Sequence, residues 1–265
     1  MAFDLFPPSK VPYFIFSPGW THKSSGVRVL HLLCHALNES GQRAYLFPST
    51  PRFSRNPELN TPLAMEVMND WVAFLDAGLD YVVVYPDIVR GNPLESKKVV
   101  RYLLAPAGAY GGDKEFSEKD KVYGYVKDLA EPVLCLPPFD PRVFYPSVTE
   151  KRSGAVYYAH KYNEIYKNAL LPLTSEAKKL EGTPSEVAQM LREAEICYLY
   201  ERTEVEVQAR MCGCPVFPVV TDFWNGKRPE EFEDRAGISA DLVSWDIRFE
   251  EQLRAFVKDT QEWKA

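Results

Sequence analysis

Residues 11–17, "VPYFIFS", are an aromatic and β-branched run that stops dead at Pro18-Gly19. Such a run reads as a buried strand followed by a loop. Residues 27–37, "VRVLHLLCHAL", then carry apolar side chains on a helical period. They follow Ser24-Ser25-Gly26 and close at Asn38-Glu39-Ser40-Gly41, where Gly41 suits a left-handed helix cap. A further strand is predicted over 43–47. One strand, one helix and a second strand in this order form the seed of a parallel sheet with helices on its faces. This feature excludes an all-helical bundle and a hairpin-built sandwich.

The same grammar recurs. "YVVVYPDIV", residues 81–89, is the strongest strand signal of the N-terminal half, and a helix is predicted over 94–104 with Asn92-Pro93 as its start. Strands are expected around 122–126 and 133–136. Residues 137–146 hold four prolines, cannot be helical, and read as a linker between two lobes. Beyond it the alternation restarts: strand 154–160, helix 186–195, strand 196–200, helix 204–211, strand 215–220, and a last amphipathic helix over 249–257. The expected organisation is an N-terminal lobe over 1–140, a second over 141–245, and a C-terminal helix over 246–265.

Composition narrows the function classes. Hydrophobic residues make up 46% of the 265 and charged residues 26%, which is ordinary for a globular chain. The net charge of −6 speaks against affinity built on neutralising phosphate backbones, so a nucleic-acid partner is unlikely on this count. Met1–Val11 has no cationic stretch leading into an apolar core, and no run reaches the ~18 apolar residues of a membrane span. A cytoplasmic protein is expected, with contact to a membrane surface left open. The five cysteines are an odd number and mostly sit in apolar runs, so they read as reduced core residues. Cys212 and Cys214 have no matching ligand pair downstream, and His31 and His35, four apart on one helix, have no third ligand nearby; no metal is expected.

In doubly wound sheets ligands bind beyond the carboxyl ends of strands, where loops feed helix N-termini. Three loops qualify. The first, "PGWTHKSSG", offers Gly19, His22, Lys23, Ser24, Ser25 and Gly26; it matches neither a dinucleotide fingerprint nor a Walker A loop. The second holds Asp87 just past a hydrophobic strand, where a carboxylate serves as a general base or as a capped ion pair. The third is Tyr200-Glu201-Arg202-Thr203. A helix opening at Thr203 would present free N–H groups and a hydroxyl to an anion, and Gln208 follows one to two turns on.

"QARMCGCPVFPV" resembles the "EA…GCPVV" signature of GT-B fold glycosyltransferases. Residues 25–47 resemble the opening helix of that superfamily, "LPPFDPRVFYPS" its interdomain linker, and "VYYAHKYNEIY" its first C-lobe strand with a donor-binding lysine. The nearest resemblance within it is to bacterial transferases of polysaccharide and O-antigen assembly. It implies two Rossmann-like α/β lobes with a cleft between them and a terminal helix crossing back to the first. It also implies a nucleotide-diphosphate sugar as donor substrate, a glycan or other hydroxyl acceptor, and no cofactor or metal. Carried onto this chain, Lys161 and Thr203 take the donor diphosphate, with Glu201 and Arg202 beside them, and Gln208 stands where a glutamate commonly binds the ribose. Asp87 and His22 become the candidate bases on the acceptor side. Glu201 and Gln208 are 208 − 201 = 7 positions apart instead of the 8 of the superfamily's acidic pair. That departure motivates a rival reading as a catalytically silent glycan- or nucleotide-binding module, and transfer to modified nucleic-acid bases is a third.

Overall fold

The computed structural model describes residues 6–67, 78–136, 142–146, 151–167, 169–201, 203–221 and 242–264, with backbone alone for Val67 and 242–248. The chain divides into two compact units, Met1–Pro137 with Asp246–Ala265, and Pro138–Trp245. Both are α/β, each built on a parallel sheet in the Rossmann manner.

In the first unit the strands are β1 (Tyr13–Ser17), β2 (Ala44–Pro48), β3 (Val82–Pro86), β4 (Lys98–Leu103) and β5 (Lys121–Gly124), ordered β2-β1-β3-β4-β5. Helix α1 (Ser25–Glu39) crosses between β1 and β2. Ser24 caps its start by accepting from the Val27 N–H, and Gly41, at φ 81°, supplies the left-handed turn at its end. The Asn38 amide then ties helix to strand, donating to the Ala44 carbonyl at 2.9 Å and accepting from its N–H at 3.0 Å.

Alternate residues of β1 go to opposite faces. Tyr13 and Ile15 join Val29, Leu33 and Leu37 of α1 on one face, while Phe14 packs with Tyr81, Val83 and Tyr85 on the other. All five residues of β3 are buried, as a strand covered on both faces requires. The core under α1 is completed from far along the sequence by the C-terminal helix. That helix spans Leu242–Gln261, longer than the 249–257 expected, and is labelled α6 below. It sets Leu253, Phe256 and Val257 into the first unit. The chain therefore does return to its N-terminal unit.

The segment 94–104, predicted helical, holds strand β4 and no helix. All six residues of the strand are buried, Lys98 and Arg101 included. Its two cations at three-residue spacing mimic a polar helix face. In fact each is paired inside the sheet, Lys98 with Asp80 at 2.5 Å and Arg101 with Asp120 at 2.7 Å. Val99 and Val100 favour the extended backbone. Asn92-Pro93 opens a turn instead of a helix: Asn92 O accepts from the Glu95 N–H, and Glu95 sits at φ 52°. Neither the β3–β4 nor the β4–β5 connection contains a helix. The strand expected at 133–136 reduces to one bridge, Gly124 to Val133.

The second unit orders its strands β7-β6-β8-β9, with β6 (Ala155–Tyr158), β7 (Lys178–Lys179), β8 (Ile196–Leu199) and β9 (Val216–Pro218). Helix α3 (His160–Tyr166) follows β6, α4 (Pro184–Glu193) precedes β8, and α5 (Val205–Met211) joins β8 to β9. Helix α4 starts on a capping box in which Thr183 and Glu186 each bond the other's backbone N–H, with Pro184 in the first turn. Its core contains Val156, Leu191, Cys197, Leu199, Ala209 and Cys212. Arg152 fastens two helix ends at once, donating to the carbonyls of Leu191 and Ala194 and, at 2.6 Å, to that of Cys212. All five cysteines are free, and burial pushes the Cys34 and Cys197 thiols up.

Candidate functional site

At the carboxyl end of the first sheet, β1 runs out at Ser17 into the loop 18–24 that leads to α1. Gly19 is required there: a Cβ would meet Ser54 N at 2.7 Å, and Trp20 N donates to Ser54 O at 2.8 Å. The loop is thus laid against residues 53–54. Lys23 is exposed, Ser24 caps α1, and Ser25 Oγ accepts from Arg28 at 3.2 Å. A Cβ on Gly26 would lie 3.4 Å from Leu104 Cδ1. Leu104 N, in turn, donates to Asp87 Oδ1 at 3.0 Å. The fold therefore brings Asp87 and the 24–26 loop to one end of the sheet. Asp87 is 5% exposed and joins the ends of β3 and β4. His22 is exposed, edge-on to Trp20 at 5.7 Å.

His31 proves more involved than a packing residue. It is fully buried, lies 5.3 Å from Trp20 and stacks on Phe53 at 5.7 Å. Its Nε2 is 3.0 Å from the Pro18 carbonyl. A carbonyl only accepts, so Nε2 carries the proton and Nδ1 is left as a buried acceptor without a hydrogen-bond partner. Burial lowers the pKa of His31 below its ordinary 6.5. The native state thus binds fewer protons than the unfolded chain between that lowered value and 6.5, so stability rises with pH through this window and falls as pH drops through it. Chemical denaturation at pH 5 and pH 7.5 should show the native chain losing stability at the lower pH, and His31→Gln should remove part of that loss. His35, by contrast, accepts from the Asn60 N–H at 3.0 Å on the surface of α1.

At the carboxyl end of the second sheet, β6 passes through Ala159 into α3, and β8 passes through Tyr200 and Glu201 towards α5. Glu201 is 1% exposed, and its Oε2 accepts from the Tyr162 N–H in the first turn of α3 at 2.7 Å. No side chain of α3's own N-cap, Ala159, can do this. Glu201 therefore supplies from another strand the acceptor that the helix start lacks. Burial raises its pKa, opposed by the bond from Tyr162 and by the charges of Lys161 and His160. Lys161 itself is exposed on that turn. Glu201→Gln, which keeps an acceptor, should preserve the melting temperature, whereas Glu201→Ala strands the Tyr162 N–H and should cost about 1–3 kcal/mol.

Thr203 does not open a helix. The helix α5 begins at Val205, two residues later, because Glu204 holds the cap position; Thr203 Oγ1 still reaches the Val205 N–H at 3.4 Å. Gln208 is 5% exposed on α5. Arg202 lies outside the described residues. Tyr200, named with its loop in the sequence but given no role there, is fully buried beside these groups: its hydroxyl accepts from Leu171 N and meets Thr174 Oγ1, both at 2.8 Å, and its ring lies 4.8 Å from Tyr162. Among the described residues no group of three His, Cys, Asp or Glu could hold a metal ion, and no helix is long and apolar enough to cross a membrane.

No family model matches the chain, and no curated protein matches it. Among solved structures, a spinosyn forosaminyltransferase is similar to 95% of this chain over 96% of its own, at 12% identity and a TM-score of 0.43. A likeness that distant carries no functional inference.

Proposed function

We propose that the chain transfers a sugar from a nucleotide-diphosphate sugar to a hydroxyl acceptor, with the second unit holding the donor. The observation that supports this reading is the arrangement at the carboxyl end of β6 and β8. Glu201, buried, fastens the first turn of α3 and so positions Lys161 on it, with Thr203 in the turn two residues ahead of α5. As the glycosidic bond breaks, negative charge collects on the departing diphosphate; an ammonium and a hydroxyl placed there stabilise that charge more in the transition state than in the bound donor. In this reading Lys161 and Thr203 touch the diphosphate and Glu201 is a positioning residue. The acceptor belongs to the first unit, with His22, exposed on the β1–α1 loop, as the candidate base. A glycan acceptor and cytoplasmic placement complete the proposal.

A binding module without catalysis is the second reading, and one observation favours it. Asp87 and Glu201 each give an oxygen to a backbone N–H. Thermal shift with UDP, GDP, dTDP, CDP and CMP, with and without magnesium, separates the readings. A ligand at 100 times its Kd stabilises the native state by about 2.7 kcal/mol. One diphosphate should raise the melting temperature, and Lys161→Ala should weaken that binding by about 1–3 kcal/mol. Stabilisation by a nucleotide without turnover of any sugar donor selects the silent module. No response to any nucleotide refutes both placements of the donor site.

A further inference from the structure

Where a crossover helix was expected, the first unit carries a groove of about 1040 Å³ over the face of β4, running towards the amino ends of β4 and β5. It runs from Gly91 and Asp113 to Lys97 and Lys121, and Asp87 and the β1–α1 loop are not part of its lining. The groove exists because the β3–β4 and β4–β5 connections are irregular and the residues after α6 fold back beside them. Val99 and Arg101 lie in its floor, and Phe116 and Trp263, both half-buried, are its aromatic groups. Arg101 sits between the rings of Tyr85 and Phe116, 5.3 Å from each. Its Nε is bound to Asp120 and one Nη to Gly91 O, while the other, Nη1, is a buried donor with no hydrogen-bond partner. Lys121 holds the Trp263 indole from one side at 5.0 Å, itself anchored by Asp259.

The exposed lining mixes both signs with neutral polar groups: Lys97, Lys119 and Lys264, Glu115 and Glu118, and Asn92 and Ser117. With Arg101 and Lys121 already paired to Asp120 and Asp259, three exposed ammonium groups against two carboxylates leave too little net charge to hold a polyanion, and the charged rim disfavours a wholly apolar peptide. Donors and acceptors interleaved beside an indole and a phenyl ring suit a ligand that has hydroxyls around its edge and C–H groups on its faces. The volume is just above the ~300–1,000 Å³ of small-molecule sites, room for several sugar units. We propose that this groove binds a carbohydrate chain. The site stands whether or not the chain transfers sugars, and the nucleotide titrations above test that reading separately.

The test is a microarray of neutral and uronic-acid-containing oligosaccharides of about three to six units, followed by tryptophan-fluorescence titration with the tightest binder. Binding is expected, weakened at least tenfold by Trp263→Ala and also reduced by the exposed-site variant Glu118→Ala at unchanged melting temperature. Saturating UDP should leave the affinity unaltered. Absence of any binder overturns the proposal. So does binding that both variants leave intact, and so does binding confined to sulfated chains, which would need the lysines alone.

Discussion

Asp120→Ala is expected to destabilise the chain by about 3–5 kcal/mol, the cost of leaving a buried cation without its counter-ion. The side chains of Arg101 and Asp120 are only 6% and 9% exposed, and the guanidinium is hemmed in by two rings, so it cannot swing out to water without unpacking Phe116. Lost pairing, not lost volume, sets the magnitude. The double replacement Arg101→Met with Asp120→Leu should therefore recover most of the loss, because burying two apolar groups in place of an ion pair is close to neutral. Urea midpoints of the two variants check this. A single variant as stable as the native chain would mean that water reaches Arg101.

Phe256→Ala should cost about as much, roughly 3–5 kcal/mol, by opening a cavity in a fully packed site. Phe256 is 1% exposed and lies between Tyr13 of β1 at 6.0 Å and Tyr123 of β5 at 5.0 Å. Around it the last turns of α6 are bolted to the sheet by polar bonds: Thr260 to the Tyr13 hydroxyl at 2.7 Å, Asp259 to the Tyr123 hydroxyl at 2.6 Å, and Gln261 to the N–H groups of Lys10 and Val11. Burial pushes the Tyr13 phenol up to about 12, so the first of these bonds persists throughout the neutral range. Loss of the ring should lower the urea midpoint and admit protease to the 242–264 segment under mild conditions. Intact resistance to protease would show that the polar bonds alone secure the helix.

Both sites expose the limit of reading the chain by pattern. The β1–α1–β2 unit was legible because its signals are local: aromatic run, Ser24 cap, 3.6-residue period, Gly41. Segment 94–104 was not, because Lys98 and Arg101 behave as surface residues until the acids that neutralise them, Asp80 and Asp120, are brought beside them from 18 residues before one and 19 after the other. The same holds for Glu201. Its position after a buried strand marked it as chemically interesting, but that its carboxylate serves the backbone of α3, 39 residues earlier, follows only from the parallel pairing of β6 with β8.

By itself the sequence determined the α/β class, the parallel sheets and a last amphipathic helix, since hydrophobic period and turn chemistry act over a few residues; the return of that helix to the first unit was implied only by the resemblance. Tertiary structure alone decided which charges are paired, that the β3–β4 and β4–β5 connections carry no helix, and which N–H groups Asp87 and Glu201 satisfy. The physical reason is one of range: burial reverses the meaning of a charge, and burial depends on neighbours that only the folded chain supplies.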